Sequence, residues 1–297
     1  MSITSSVYSI VSPLMQARGL LRSANPWQSV TPAQEWFFKN IYATAYREAA
    51  NIPELKSLAT NNIREAQQFF KQHKINMRVP SLGKDEFAAL AALDVDVKWN
   101  ESANPQVLKI GNQPYKSGLI KSGINRMSLM LPPLDFQPAH VDNPIVMIDT
   151  KIPHHQVLIY KSNRAPFSTL DLLVTVNNLV AKSRPVRLND SLEVIYPLVN
   201  LEKDADITWL EGLRITDGYG KSSLLRKSLQ KNKLNLSLDG ARAQSGTAMI
   251  FSRGMRQSQG TPKRIIIDSP FYFAIVKKNL KFPLFSGYIT PEDWIKE

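Results

Sequence analysis

Residues 238–289 read LDGARAQSGTAMIFSRGMRQSQGTPKRIIIDSPFYFAIVKKNLKFPLFSGYI, and the fold turns on how this stretch is understood. It has three parts. Residues 240–247 are small, polar and flexible. A basic segment, Arg253-Gly254-Met255-Arg256, comes next, and polar residues continue to Lys263. Two apolar segments, 265–276 and 282–289, follow, joined by the turn-like Lys277-Lys278-Asn279. In these segments Phe271, Phe273 and Ile275 alternate, as do Leu284, Ser286 and Tyr288. With their β-branched and aromatic content, this predicts two buried strands. The middle part contains Gly, Ser, Gln and Pro without a period and reads as a loop. Long loops are uncommon inside compact domains and are often functional.

The first part keeps small residues at alternate positions: Ala241, Ala243, Ser245 and Thr247. Alternate residues of a strand share one face. A strand with so small an inward face can slide between two others without clashing.

At this point the chain resembles the serpins. That family carries an acidic-Gly-small-residue hinge, a bait loop, a Pro-Phe strand and a Leu-Phe-x-Gly strand. The matching residues are Asp239-Gly240, residues 241–248, residues 249–263, Asp268-Ser269-Pro270-Phe271 and Pro283-Leu284-Phe285-Ser286-Gly287. Upstream, Ile195-Tyr196-Pro197-Leu198 and Trp209-Leu210-Glu211-Gly212-Leu213-Arg214-Ile215-Thr216 are similar to the family's strand, helix and Leu-Gly-Ile segment. Order and spacing agree from about Val157 to the end.

The resemblance implies an α+β fold in a single domain over residues 1–297. It implies N-terminal helices, large mixed β-sheets and an exposed C-terminal reactive-centre loop at about 240–263. It also implies a suicide inhibitor rather than an enzyme: a protease cleaves the loop, which then inserts into the central sheet. The hinge would be Gly240, Ala241, Ala243, Ser245 and Thr247, with Met249 and Phe251 the next inward residues. Counting from the hinge puts the scissile bond near Arg253 or Gly254, and counting back from Pro270 puts it nearer Arg256, with Met255 between. An Arg there favours a trypsin-like serine protease, whose specificity pocket holds a buried acid. Cysteine proteases stay open as targets.

The chain also departs from the family pattern. Leu238 and Arg242 stand where acids are common, and Gln244 and Gly246 interrupt a run that is often Ala. Gln230 replaces a buried His that helps latch the sheet. The family's Asn-Ala-aromatic strand ending near a Trp has no match, since the surroundings of Trp99 differ. Ser12-Pro13 matches the opening of a buried family helix poorly, because Met15 stands where a Ser is expected.

Composition narrows the alternatives. The 297 residues contain no Cys, which excludes disulfides, thiolate catalysis and Cys-based metal sites. No apolar run approaches the ~20 residues of a membrane-spanning helix. No basic start precedes an apolar N-terminal run, so the expected location is cytoplasmic, or exported without a standard signal peptide. A net charge of +12 admits a polyanion as partner. The protein is expected to be monomeric. Of the four His, His154 and His155 would point to opposite faces of a strand, and His140 with Asp142 lacks a third partner, so neither metal nor cofactor is expected. Gly218-Tyr219-Gly220-Lys221-Ser222 lacks the spacing of a phosphate loop.

Hydrophobic period predicts helices at 32–50, 54–73, 84–93 and 167–182 and a short one at 206–214. Short strands are predicted between the prolines of 95–160, at 186–199 and at 228–238. Two other functions remain open: a serpin-fold binding protein that engages a partner or polyanion through its basic surface, and an unrelated α+β effector or enzyme.

Overall fold

The computed structural model describes residues 1–123, 125–133, 143–186, 191–243 and 263–297. Three larger sheets organise it. Sheet I has seven strands: β1 (Ile3–Ser5), β7 (Met127–Leu131), β8 (Ile145–Asp149), β9 (His155–Lys161), β10 (Arg184–Val186), β18 (Phe271–Lys277) and β19 (Phe285–Ile289). Their order is β1-β19-β18-β9-β8-β7-β10, every pair antiparallel. Alternation fills both faces. Tyr272 and Ala274 pack with Leu172, Val176 and Leu179 of α5 (Thr169–Lys182), while Phe271, Phe273 and Ile275 enter the main core. Ser168 caps α5 by accepting from the Asp171 N–H at 3.1 Å, and Asp171 accepts from the Phe167 N–H at 2.9 Å. The helix therefore starts two residues inside its predicted span.

Sheet II is β5 (Asn104–Ile110), β6 (Gln113–Lys121), β11 (Leu192–Pro197) and β17 (Lys263–Ile266), in the order β17-β11-β6-β5. The β11–β17 pair is parallel, which makes this sheet mixed. Sheet III is β4 (Val95–Lys98), β12 (Val199–Ala205), β15 (Gln230–Leu236) and β16 (Gly240–Ala243), in the order β12-β15-β16-β4. Two further pairs complete the β structure among the described residues: β2 (Leu55–Thr60) with β3 (Ala88–Leu93), separated in sequence by residues 61–87, and the hairpin of β13 (Arg214–Thr216) and β14 (Ser222–Leu224).

Helix α1 (Val7–Leu20) lies under β2 and β3. It begins at Ser6, whose hydroxyl accepts from the Ser9 N–H, so Pro13 sits inside the helix and Ser12-Pro13 does not open it. Residues 32–49 form one helical run as predicted: α2 (Pro32–Phe37), a π-helical turn (Phe38–Tyr42) and α3 (Ala43–Ala49). Helix α4 (Ile63–Gln72) starts at Asn62, whose side chain accepts from the Arg64 N–H at 3.0 Å.

Two predicted helices are corrected. Residues 55–60 are strand β2, and 88–93 of the expected helix at 84–93 are strand β3. The Ala-rich AALAAL favours a helix on propensity alone. Burial on both sides overrides it: Leu90 and Ala92 pack under Phe69 and Phe70 of α4, whereas Ala91 and Leu93 face the main core. The predicted short helix at 206–214 shrinks to a 3₁₀ turn, Thr208–Leu210. No helix among the described residues is long and apolar enough to cross a membrane.

Candidate functional site

Residues 240–243 of the expected loop are already a strand. β16 lies between β15 and β4, antiparallel to both. Its register sets Gly240 opposite Lys98, Ala241 opposite Val97 and Leu236, and Arg242 opposite Asp96 and Asn235. Ala241 is fully buried. Arg242 occupies the other face, half-buried, and its Nε has no hydrogen-bond partner among the described residues. Burial raises the Asp96 pKa, although Arg242 and Lys98 oppose that rise.

Gly240 makes the seating possible. Its φ is +153°, and a Cβ there would lie 2.1 Å from the Val97 carbonyl oxygen. Only glycine allows the backbones to approach this closely.

The turn from β15 into β16 is held by two buried aromatics. Trp99, directly after β4, donates from Nε1 to the Tyr196 hydroxyl at 2.9 Å, and that hydroxyl donates to the Ser237 carbonyl at 2.8 Å. The Trp99 N–H donates to the Asp239 carbonyl at 2.9 Å, and the Ala103 N–H to the Leu238 carbonyl at 2.7 Å. Burial pushes the Tyr196 pKa well up, so its hydroxyl stays neutral and keeps its proton to donate. Trp99 thus ends β4, the strand paired with β16. The sequence pattern hid this, because β4 reads Val-Asp-Val-Lys rather than Asn-Ala-aromatic.

Beyond β16 the sheet opens. β3 precedes β4, with Asp94 between them, and among the described residues it is paired on one edge only, with β2. β15 is paired with β16 only at Asn235 and Leu236. A cavity of about 790 Å³ lies between these edges, walled by Ala89, Leu90, Ala91 and Leu93 on one side and residues 230–233 on the other. Pro13, Leu14 and Ala17 of α1 line it as well.

The β15 wall carries two buried amides. Gln230 Oε1 accepts from Ser5 Oγ at 2.7 Å, Gln230 Nε2 donates to the Ser6 carbonyl at 3.2 Å, and Asn232 Nδ2 donates to the Thr4 carbonyl at 2.9 Å. These bonds tie β15 to β1 and to the N-cap of α1 without a histidine.

The chain re-enters the described structure at β17. Arg264 there donates to Glu193 of β11 from Nε at 3.0 Å and from Nη2 at 2.7 Å, and Lys121 of β6 lies 3.2 Å from the same carboxylate. Ser245 and Thr247 of the hinge, and the scissile candidates Arg253, Gly254, Met255 and Arg256, lie outside the described residues, as do Gln244, Gly246, His140 and Asp142. His155 opens β9, buried 3.2 Å from Glu54, whereas His154 precedes the strand with φ +67°. No metal-binding cluster occurs among the described residues.

A sheet interrupted beside β16 among the described residues defines the class: a scaffold with an open place next to that strand. Solved structures give that class its family fold. No protein-family model matches the chain, and no curated protein matches it in sequence. Serpin48 of the insect Tenebrio molitor superposes with TM-score 0.55 at 13% identity, covering 97% of this chain and 91% of that one. Tengpin, a thermophilic serpin in the native state, gives 0.61 at 11% identity over 97% and 88%. Human thyroxine-binding globulin complexed with thyroxine gives 0.55 at 12% identity over 97% and 91%. The chain has the serpin fold.

Proposed function

We propose that the protein is a serpin-type suicide inhibitor of a trypsin-like serine protease, cleaved near Arg253 or Arg256. The observation that carries this reading is β16, already seated between β15 and β4 at the mouth of an open slot. Extending both registers inward sets residue 245 between Leu93 and Asn232, and residue 247 between Ala91 and Gln230. Ser245 and Thr247 would then meet the two buried amides, while Ala241 already meets Leu236. On the β15 side the inserting face and the slot wall match in polarity, whereas Leu93 and Ala91 line the β3 side.

The protease nucleophile attacks the scissile carbonyl, the peptide bond breaks, and the new amine leaves with the C-terminal part of the loop. The N-terminal part stays bound to the protease as an acyl-enzyme. Its insertion as a strand then carries the protease away from its productive geometry. About eight new backbone hydrogen bonds at roughly 1 kcal/mol each, plus apolar burial, drive that step.

Incubation with trypsin, followed by denaturing electrophoresis and a melting curve, tests this. The expected result is a denaturant-resistant complex, cleavage after Arg253 or Arg256, and a melting temperature raised by about 20 °C in the cleaved protein. Cleavage in the loop with neither complex nor rise removes the inhibitor reading. A binding protein would then remain, a reading supported by the match to thyroxine-binding globulin and by the net charge of +12.

A further inference from the structure

We propose that the ribbon formed by residues 28–30, β13 and β14 is a docking surface for anionic lipid bilayers. The ribbon lies where the chain leads into β15, at the end of that strand away from the hinge, and its role does not depend on loop insertion.

Backbone bonds build the ribbon. The Gln28 N–H donates to the Arg214 carbonyl at 2.8 Å, and the Arg214 N–H donates to the Gln28 carbonyl at 3.2 Å. Residue 28 therefore adds a third edge to the β13–β14 pair. Ile215 is buried and marks the inner face. Alternation and register then put Arg214 and its partners Gln28 and Leu224 on the outer face. Val30 stands beside the start of β13, since a Cβ at Gly212 would come 3.1 Å from its Cγ2. At the tip, the Gly218 N–H donates to the Leu21 carbonyl at 3.0 Å, and Arg22 Nη1 donates to the Tyr219 hydroxyl at 3.4 Å. These bonds fix the tip to the end of α1. Three large apolar side chains nevertheless face water here: Tyr219 is 73% exposed, Val30 53% and Leu224 51%.

The charge around them has one sign. Residues 212–233 hold six Lys or Arg and one acid, Asp217. The Asp217 Oδ1 accepts from the Tyr219 and Lys221 N–H groups, both at 2.8 Å, so that acid serves the turn. Arg226 pairs with Glu86, and Lys231 with Glu202 and Asp204. Arg214, Lys221 and Lys227 are exposed and enter no ion pair among the described residues. Single exposed apolar residues are ordinary on a protein surface. A Val, a Leu and a Tyr set among unpaired cations on one rigid ribbon make a mixed surface. A polyanionic sugar would engage the cations and leave the apolar side chains in water. A bilayer engages both, because its anionic headgroups overlie hydrocarbon. Tyr219 suits the headgroup level, where aromatic rings with a polar tip settle. β15 runs seven residues, roughly 23 Å, from this end to the hinge turn. A docked bilayer and β16 are therefore separated by the length of that strand.

Flotation of the full chain with vesicles tests the surface, using phosphatidylcholine alone and phosphatidylcholine with about 30 mol% phosphatidylserine. Binding is expected on the anionic vesicles only, and should fall about fivefold between ~50 and ~300 mM salt. Arg214→Glu with Lys221→Glu should weaken it about tenfold, and Leu224→Ser with Tyr219→Ser about fivefold. With heparin in place of vesicles, the charge variant should bind less and the serine variant should bind as the parent does. All four side chains are exposed, so both variants should melt with the parent. The chain has no cysteine, which lets a polarity-sensitive thiol dye be placed without background. On anionic vesicles the dye at Tyr219→Cys should shift to the blue, and the same dye at Val107→Cys, exposed on β5, should not. Should a variant melt early, the two dye-labelled proteins decide alone. Equal binding to both vesicles, parental binding by either variant, or a response at 107 as strong as at 219 would overturn the proposal. Binding to heparin with none to vesicles would overturn it too, and would make the partner a soluble polyanion.

Discussion

Sheet I and sheet III draw on the same apolar residue types, yet one is finished and the other is not. In sheet I each interior strand has two partners, and alternation buries both faces, Phe273 and Ile275 on one and Tyr272 and Ala274 on the other. In sheet III the ladder is whole only around Ala241. Beyond it, among the described residues, β3 and residues 230–233 of β15 each have one edge without a strand partner, and a cavity lies between them. Unpaired edges and voids forfeit hydrogen bonds and dispersion. Buried amides at Gln230 and Asn232 add polar groups that a filled apolar sheet would not carry there. The difference teaches where conformational change is cheap. Sheet I resists rearrangement, and the slot side of sheet III stands to gain from it.

The sharpest way to break this contrast is a pair of truncations. Phe273→Ala in sheet I should cost about 3–5 kcal/mol, because a fully buried aromatic leaves a hole that its neighbours cannot fill. Leu93→Ala on the slot wall should cost roughly 1–2 kcal/mol, since its side chain is only partly buried and already borders a void. Urea unfolding of both variants gives the values, and equal costs would erase the distinction between the sheets.

The seating of β16 is tested next. Gly240→Ala places a Cβ where the Val97 carbonyl stands, so β16 must leave the sheet. The loss is limited to a four-residue pairing, roughly 2–3 kcal/mol. Amide exchange of 240–243 should become fast while sheet I stays protected. Protection that survives the substitution would show that another route holds the hinge in place.

How far the sequence discloses this arrangement follows from the same contrast. Two strands of sheet I were legible, because 271–277 and 285–289 are runs rich in β-branched and aromatic residues, and burial on both faces makes such runs continuously apolar. Of the alternating small residues, Ala241 and Ala243 lie in β16, and Ser245 and Thr247 lie outside the described residues. The walls of the slot were not legible. AALAAL at 88–93 carries no polar face and has helical propensity, and only packing between α1 and α4 makes it a strand. Leu55 and Leu58 matched a helical face until Asn62 capped α4 behind them. Trp99 was passed over because its strand reads Val-Asp-Val-Lys rather than the Asn-Ala-aromatic pattern. Each miss concerns a residue whose role is fixed by a partner far along the chain.

Arg242 and Asp96 sharpen the comparison at the hinge itself. Asp96 is a half-buried carboxylate whose pKa is raised by burial, against the pull of Arg242 and Lys98. A raised folded-state pKa favours the protonated form in the folded protein. The contribution to stability is therefore present below the unfolded value near 3.9 and is lost as pH rises through the folded pKa. Asp96→Asn removes that loss. Its stability at pH 7 should match or slightly exceed the parent, within about 1 kcal/mol, and the parent's advantage at acid pH should disappear. Denaturant titrations at pH 4 and pH 7 decide it. A clear loss at pH 7 would mean that attraction to Arg242 outweighs burial, making the hinge an ion-paired closure.

The smallest effect falls on the edge of sheet I. Glu292 accepts from the Ser2 N–H at 2.9 Å and from Lys203 Nζ at 3.2 Å, and so ties down the residues that lead into β1. These contacts, the Ser2 N–H first, lower its pKa to about 2. For a depressed carboxylate the stabilisation is present above the unfolded value near 4.3 and is lost as pH falls through the folded value. Glu292→Gln should therefore cost little at pH 7, at most about 1 kcal/mol because the group is half exposed, and nothing near pH 2. The readout is amide exchange of β1 between pH 5 and pH 2. β1 should fray in acid while β18 and β9 stay protected, because the interior of sheet I rests on apolar burial and paired backbone rather than on charge. Acid loosening that spread from β1 into β18 would show that sheet I, too, depends on its edge.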